Sequence, residues 1–198
     1  MPLPPSKRVA RKVLDIRGTH GSGKSHVVHS LLEMYGWGVP IEVKGKHIGH
    51  YIKELDCGIL CKYRKGKGGG GVDSSLPQPE RVVERIKLFY SRYRFTLLEG
   101  AFISHTYQRY ADLADELGRQ NYRFLFLDTP LDVCVERCRI RHTTRGSGNR
   151  KTEFSPQSAE HDYYADWVRL RPKFIANGYN VGVLNYLDPL TELLKEFQ

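Results

Sequence analysis

The stretch GTHGSGKS, at residues 18–25, decides the fold of this 198-residue chain. It matches, at every fixed position, the pattern of one glycine, four variable residues and Gly-Lys-Ser or Gly-Lys-Thr. The apolar run at residues 12–17 predicts a strand before it, and the pattern after it predicts a helix to about Tyr35. A glycine-rich turn between a strand and a helix is the context in which this pattern holds phosphate groups. We therefore predict a phosphate-binding loop (P-loop) at these residues.

Each residue type in the P-loop has a chemical reason. Small residues let successive backbone N–H groups turn towards one phosphate, and the P-loop supplies Gly18, Gly21, Ser22 and Gly23. Lys24 carries a charge that reaches the β- and γ-phosphates, and the Ser25 hydroxyl is suited to bind magnesium. The sequence therefore predicts ATP and Mg²⁺ as cofactors.

The remaining pattern alternates strands with helices, which is typical of a parallel sheet covered on both faces. Further strands are predicted at residues 47–55, 58–63, 94–98, 122–127 and 180–186. Helices are predicted from Pro79, at 104–117, from Pro130 behind a Thr129 cap, and at 155–176 and 190–197. We expect an α/β fold of the P-loop, nucleotide kinase-like type: a three-layer sandwich with a parallel sheet. Residues 1–11 are expected to form a flexible basic tail, and residues 12–198 a single kinase domain.

The composition of the chain indicates which kinds of partner it binds. The chain has 31 lysines and arginines against 22 acidic residues, a formal net charge of +9, which favours a nucleotide or nucleic-acid partner. No apolar run approaches the roughly 18 residues that span a bilayer, so we expect no membrane partner. A cytoplasmic location is expected. The pairs Cys57/Cys61 and Cys134/Cys138 leave a zinc site open, but reduced thiols are the favoured interpretation.

Two acidic residues are candidates for catalytic or metal-binding roles. Glu99 ends the apolar strand at residues 94–98, at the edge where open α/β sheets bind ligands, so it is expected to hold magnesium or orient the acceptor. A solvated carboxylate is the alternative. Asp73 lies in a long, glycine-rich loop and is suited to accept the proton of a substrate hydroxyl. A flexible surface loop is the alternative there, and Arg64 in the same loop is a candidate substrate contact.

A basic segment follows the strand predicted at residues 122–127. Residues 137–151 hold six lysines and arginines and no acid, and the pattern predicts a lid at about residues 142–155. Arginines on such a lid would neutralise the transferring phosphate, and its closure would exclude water. Arg137 and Arg141, one helical turn apart, are predicted to be catalytic, and Arg145 to contact the substrate. A solvated basic surface remains the alternative.

Four elements together resemble a known group of enzymes: residues 17–25, 70–73, 98–100 and 127–130. In this order they resemble the small bacteriophage-type P-loop kinases of the deoxynucleotide kinase-like group. Within that group the chain resembles the kinases that phosphorylate 5-hydroxymethyluracil within DNA. The resemblance spans about residues 13–186.

The resemblance implies ATP-dependent phosphoryl transfer to a hydroxyl on a pyrimidine. It assigns functional positions to Lys24, Ser25, Asp73 and Glu99. The lysine- and glycine-rich loop at residues 64–67 and the Gly-Ser-Gly-Asn stretch of the lid depart from the group's pattern, which leaves the acceptor open. DNA fits the charge of +9, because each basic contact to it releases counterions. A kinase of free deoxynucleoside monophosphates and a nucleic-acid-binding ATPase without an acceptor are the alternatives.

Overall fold

The computed structural model describes residues 10–66, 71–72, 76, 78–144 and 155–198. Within these residues one sheet contains seven strands: β1 (Lys12–Arg17), β2 (Val39–Val43), β3 (Lys46–Ile52), β4 (Cys57–Leu60), β5 (Phe95–Glu99), β6 (Tyr122–Leu127) and β7 (Asn180–Leu184). Their order across the sheet is β2-β3-β4-β5-β1-β6-β7. The strand that precedes the P-loop is therefore central, with β5 on one side and β6 on the other.

The predicted α/β fold is confirmed, with one difference at the edge of the sheet. Strands β4, β5, β1, β6 and β7 are parallel, but β3 runs antiparallel to β4 and β2 antiparallel to β3. Strands β2 and β3 form a hairpin because Lys44 and Gly45 both have positive φ, as a tight two-residue turn requires. Strand β2 was not predicted, and its Pro40 is tolerated because β2 is an edge strand.

The helices are α1 (Lys24–Met34), α2 (Pro79–Arg92), α3 (Ala101–Ser104), α4 (Gln108–Leu117), α5 (Leu131–Thr144), α6 (Gln157–Tyr163), α7 (Arg171–Ala176) and α8 (Pro189–Lys195). A π-helical stretch, Tyr164–Leu170, joins α6 to α7 as one continuous rod. The helix predicted at residues 104–117 is divided into α3 and α4. The predicted cap at Thr129 is wrong, because helix α5 begins at Leu131 and the Thr129 hydroxyl donates to the Ser22 carbonyl instead, at 2.8 Å.

Apolar side chains pack on both faces of the sheet, so the predicted three-layer sandwich is confirmed. One face holds α2, α4 and α7, with Phe89, Phe124 and Phe174 fully buried. The other face holds α1 and α8 against the sheet, with Leu31 and Leu193 buried.

The end of β1 is fixed by a buried ion pair. Arg17 is 0% exposed and its guanidinium lies 2.9 Å from the carboxylate of Asp15. Tyr122 donates a hydrogen bond to the same carboxylate at 3.1 Å, and Arg17 donates to the Thr106 carbonyl at 3.0 Å. The guanidinium also lies within about 5 Å of three ring centroids, those of Tyr110, Phe124 and Phe174. Burial raises the pKa of Asp15, although Arg17 opposes that shift.

Two other expectations concern the cysteines and membranes. All four cysteines are thiols: Cys57, Cys61 and Cys134 are buried and Cys138 is half-buried. None of the helices in the described ranges is long and apolar enough to cross a bilayer. Residues 1–9 of the predicted tail lie outside the described residues, so the predicted boundaries of the domain stay a prediction.

Candidate active site

The P-loop connects β1 to α1 with a backbone that requires glycine. Gly21 has φ +84°, and a β-carbon there would lie 2.3 Å from the Cys134 carbonyl oxygen. Gly23 precedes helix α1 with φ +105°, in the left-handed region. The turn therefore places the P-loop amides at the positive end of an 11-residue helix, which favours an anion.

The Lys24 side chain folds back beneath the first half of the P-loop. It is 7% exposed, and its ammonium donates to the carbonyls of Thr19, at 3.0 Å, and Gly18. The hydroxyls of Thr19 and Ser22 are buried and form no hydrogen bond with other described residues. The P-loop thus holds one ammonium and two hydroxyls whose hydrogen-bonding capacity suits a phosphate group.

Ser25 and Glu99 meet at the predicted metal position. Glu99 is the last residue of β5 and pairs in register with Ile16 of β1, which places it at the mouth of the P-loop. The Ser25 hydroxyl donates to Glu99 Oε1 at 2.8 Å, and the Tyr63 hydroxyl donates to the same oxygen at 3.0 Å. Glu99 is 3% exposed, so the solvated alternative is wrong. An alcohol oxygen beside a carboxylate is a donor set that fits magnesium.

The glycine-rich loop reaches this carboxylate at Gly71. A β-carbon on Gly71 would lie 2.5 Å from Glu99 Oε1, so the backbone approaches more closely than any other residue would allow. Asp73 lies outside the described residues, and its predicted role stays a prediction. Arg64 is exposed and directly follows Tyr63, which binds Glu99. Its role as a substrate contact also stays a prediction.

Of the predicted arginines, Arg137 reaches the P-loop. Its guanidinium donates to the carbonyls of Ser22, at 3.2 Å, and Gly21, at 3.4 Å. Arg141 lies one turn further along α5 and is exposed, and its side chain has no hydrogen bond to the P-loop within the described residues. Arg145 and residues 145–154 of the predicted lid lie outside the described residues, so the lid stays a prediction.

A group of four side chains beside the P-loop was missed. His20 Nδ1 contacts Asp162 Oδ2, and His105 Nε2 lies 3.2 Å from Asp162 Oδ1. His105 Nδ1 lies 3.2 Å from Asp166 Oδ1. We call His20, His105, Asp162 and Asp166 the His–Asp cluster. It joins the P-loop, the segment after α3, helix α6 and the π-helical stretch.

The charges in the His–Asp cluster support one another. Burial opposes the charging of His105, but the carboxylates of Asp162 and Asp166, each 3.2 Å from one of its ring nitrogens, raise its pKa to about 9. Burial would raise the pKa of Asp162, but the imidazoles of His105 and His20 beside it hold that pKa below its usual value. At neutral pH a cationic His105 therefore lies between two carboxylates.

One local signal could have revealed part of the His–Asp cluster. Asp162 and Asp166 are four residues apart in the helix predicted at residues 155–176, so they lie on one face of it. That face also carries the apolar residues Ala159 and Leu170, which makes acids there unexpected unless they have partners. His105 carries no comparable local signal, because its partners come from distant parts of the chain.

Two curated proteins are similar to this chain. A protein named 5-hmdU DNA kinase, from Pseudomonas phage PaMx11, is 30% identical over 129 residues, which are 64% of this chain and 67% of that protein. Another protein of the same name, from Bacillus phage SP10, is 27% identical over 134 residues, which are 65% of this chain. The match covers 21% of the SP10 protein, so this chain corresponds to about a fifth of it. No family model matches the chain.

Solved structures give more distant likenesses. A gluconokinase from Sinorhizobium meliloti 1021 is 15% identical with a TM-score of 0.47, covering 96% of this chain and 91% of that one. A shikimate kinase from Acinetobacter baumannii, in complex with shikimate, is 14% identical with a TM-score of 0.46, covering 98% and 96%. The strand order and the P-loop of this chain itself carry the fold assignment.

Proposed function

Because this chain belongs to the 5-hmdU DNA kinase family and is a small P-loop kinase, we propose that it phosphorylates a modified base in DNA. The γ-phosphate of ATP passes to the 5-hydroxymethyl oxygen of 5-hydroxymethyluracil. The observation that carries this proposal is the 30% identity over 67% of a protein named for that activity. The contact between Ser25 and Glu99 at the mouth of the P-loop supports the phosphoryl-transfer chemistry.

The nucleotide would bind through the P-loop. Backbone N–H groups of Gly18, Gly21, Ser22 and Gly23 would surround its phosphates, while Lys24 leaves the carbonyls it now contacts and turns to the β- and γ-phosphates. Ser25 and Glu99 would hold Mg²⁺, directly or through water. When bound, the ion neutralises charge on the phosphates. Tyr63 keeps the Glu99 carboxylate in place through its hydrogen bond.

The arginines and Asp73 would act on the transferring group and the acceptor. Arg137 already contacts the P-loop carbonyls, which supports a role in neutralising the phosphates, and Arg141 and Arg145 would join it. Asp73 would contact the acceptor hydroxyl, with support from Gly71, two residues earlier, whose backbone lies against Glu99. Arg64 would contact the DNA.

The charge of the chain favours a polymeric acceptor. A net charge of +9 gains affinity for DNA from each phosphate that it neutralises, whereas a mononucleotide offers few such contacts. Chemistry on a base in a duplex requires that base to leave the stack, so the acceptor would be flipped out or single-stranded. DNA affinity should then fall steeply as salt rises.

A labelled-phosphate assay tests this function. The protein is incubated with ATP labelled at the γ-phosphate and with duplex DNA containing 5-hydroxymethyluracil, matched unmodified DNA, or free deoxynucleoside monophosphates. We expect label in the modified DNA alone. Label confined to free nucleotides would replace the proposal with the mononucleotide kinase. Release of phosphate with no labelled acceptor would replace it with the ATPase.

A further inference from the structure

Within the P-loop, His20 carries a titratable side chain that is exposed to solvent. Its side chain is 48% exposed, although the glycine and serine that follow it are buried. It directly follows Thr19, whose carbonyl accepts a hydrogen bond from Lys24 at 3.0 Å. Since Lys24 is expected to reach the β- and γ-phosphates, His20 lies one residue from the part of the P-loop that contacts this lysine.

Asp162 sets the tautomer of His20. A carboxylate at Nδ1 accepts the proton of that nitrogen, which leaves Nε2 as the unprotonated nitrogen with a lone pair. Within the described residues, Nε2 forms no hydrogen bond, so it is open to a substrate. An imidazole oriented in this way by a carboxylate is the arrangement that general bases use.

The rest of the His–Asp cluster keeps Asp162 in place and charged. Its second oxygen lies 3.2 Å from His105 Nε2, and the other nitrogen of His105 faces Asp166, which is fully buried. The two carboxylates come from neighbouring turns of one rod, and Asp162 is the one that contacts the P-loop. Asp162 therefore pairs with His20 and is itself fixed by a second histidine, His105. An isolated ion pair on the surface has no such second partner.

We propose that His20 is the general base of the phosphoryl transfer and that Asp162 is its positioning residue. The inference rests on the proposed function, in which a hydroxyl must lose its proton. The acceptor's O–H proton passes to His20 Nε2 while the oxygen forms a bond to the γ-phosphorus. The bond from that phosphorus to the bridging oxygen breaks, and its electron pair leaves with ADP. His20 then returns the proton to water.

Direct pairing favours this role over a metal site for the same side chains. His20, His105 and Asp162 could together offer ligands to a cation. Each oxygen of Asp162, however, already faces one imidazole nitrogen, which is the arrangement that a base and its positioning carboxylate need.

Other charged or titratable groups lie near Asp162 and the P-loop. His161 Nδ1 lies 3.7 Å from Asp162 Oδ1 on the solvent side. On α5, Arg137 contacts the Gly21 carbonyl, and the Cys138 thiol lies near the same glycine. Arg137 and the thiol do not contact the His20 ring, and His161 is 80% exposed. His105, beside the other oxygen of Asp162, keeps its charge up to its pKa of about 9, so it should not change protonation at acid pH.

The test is the rate of one turnover, with enzyme in excess, measured across pH 5.5 to 9. It uses whichever acceptor the wild type phosphorylates, water included, so that a wrong acceptor assignment and a wrong base assignment give different results. We expect the wild-type rate to fall at acid pH as the base becomes protonated. We call this fall the acid limb of the pH profile. His20→Asn should lower the rate by about 10²- to 10³-fold and remove that acid limb, with ATP affinity changed less than about threefold.

Asp162→Asn tests the positioning role. Loss of the carboxylate removes the group that orients the His20 ring, so the plateau rate should fall about tenfold or more and the acid limb should change position. His161→Asn is the matched control, because it removes an imidazole near the same carboxylate and should leave both rate and pH profile unchanged. A purely structural Asp162 would lower thermal stability without moving the limb.

Rescue separates a missing base from a damaged P-loop. Imidazole added to His20→Ala should restore part of the rate in proportion to its unprotonated form. The inference is overturned if His20→Asn keeps the acid limb and a rate within about threefold of wild type. It is equally overturned if Asp73→Asn loses the limb while His20→Asn does not.

Discussion

Two charged groups border the P-loop, and they differ in what surrounds them. The Arg17–Asp15 pair lies just before the P-loop with both side chains 0% exposed, between aromatic rings and the Tyr122 hydroxyl. The His–Asp cluster begins two residues into the P-loop at His20, whose side chain is 48% exposed, and ends at Asp166, which is fully buried. Both contain acids and cations within hydrogen-bonding distance. The first has no route for a proton or a substrate, while the second has an open end.

This difference shows how one loop combines rigidity with chemistry. A sealed ion pair cannot exchange charge with a ligand, so it can act on the site only by fixing the strand from which the P-loop starts. A partly open chain of imidazoles and carboxylates can exchange protons while its buried end keeps the geometry constant. Substitutions in the first group should therefore change stability, and substitutions in the second should change rate and pH dependence.

Arg17→Leu should produce the largest effect on stability. It leaves the Asp15 carboxylate buried without its cation, which should lower the free energy of unfolding by about 3 to 5 kcal/mol in urea denaturation. The control is Arg17→Leu combined with Asp15→Asn, which should recover part of that loss because no uncompensated charge remains. A loss below about 1 kcal/mol would mean that the pair contributes no more to the free energy of unfolding than an ordinary surface ion pair does.

Among the four variants of this comparison, Lys24→Met should produce the largest loss of rate. Methionine replaces the buried stem of Lys24 but not its ammonium, so we expect turnover to fall by about 10²- to 10³-fold with nearly unchanged stability. Phosphoryl transfer and thermal unfolding of the same preparation check this. A variant that unfolds early would instead assign the ammonium, through its bonds to Thr19 and Gly18, to the structure of the P-loop.

His105→Gln should change how stability depends on pH. The pKa of His105 is raised from 6.5 to about 9, so its stabilisation is fully present below pH 6.5 and is lost as pH rises through about 9. We expect the variant to be less stable than wild type by about 2 kcal/mol near pH 6, with the difference vanishing above pH 9. Urea denaturation at several pH values measures it. A difference that stays constant with pH would show that His105 contributes by packing alone.

Tyr63→Phe should give the smallest of these effects. It removes one hydrogen bond to the Glu99 carboxylate while the Ser25 hydroxyl still donates to the same oxygen. We expect about 1 kcal/mol lower stability and a modestly higher Mg²⁺ requirement. Titration of activity with Mg²⁺ checks this, with Tyr51→Phe, remote from the P-loop, as control. An unchanged requirement would mean that the Tyr63 hydroxyl does not position Glu99.

The parts of the fold that depend on residues close together along the chain were predictable from the sequence. The strand, P-loop and first helix follow from 24 adjacent residues, and Glu99 was found because an acid that ends an apolar strand reaches the ligand edge of the sheet. Strand β2 was missed because a short edge strand containing proline has no strong period. The sheet's antiparallel edge depends on the Lys44-Gly45 turn, which the pattern alone did not reveal.

The His–Asp cluster was not predictable in the same way. His20 and Asp162 are 142 residues apart, and their contact exists only once the rod packs against the P-loop. His20 appeared in the sequence as a variable position of the P-loop pattern, which assigns it no role. Long-range pairing of this kind has no periodic signal, so structure was needed to bring the two together.

The unequal burial of the four thiols offers a reporter position. Burial raises the pKa of Cys134 to about 11 and also raises that of Cys57, so neither should react with maleimides near neutral pH. Cys61 is buried as well, whereas Cys138 is half-buried, with its sulfur beside Gly21. Burial raises its pKa too, so labelling should proceed above neutral pH. A single fluorophore would then sit against the P-loop, and its emission would follow nucleotide arrival and departure in real time.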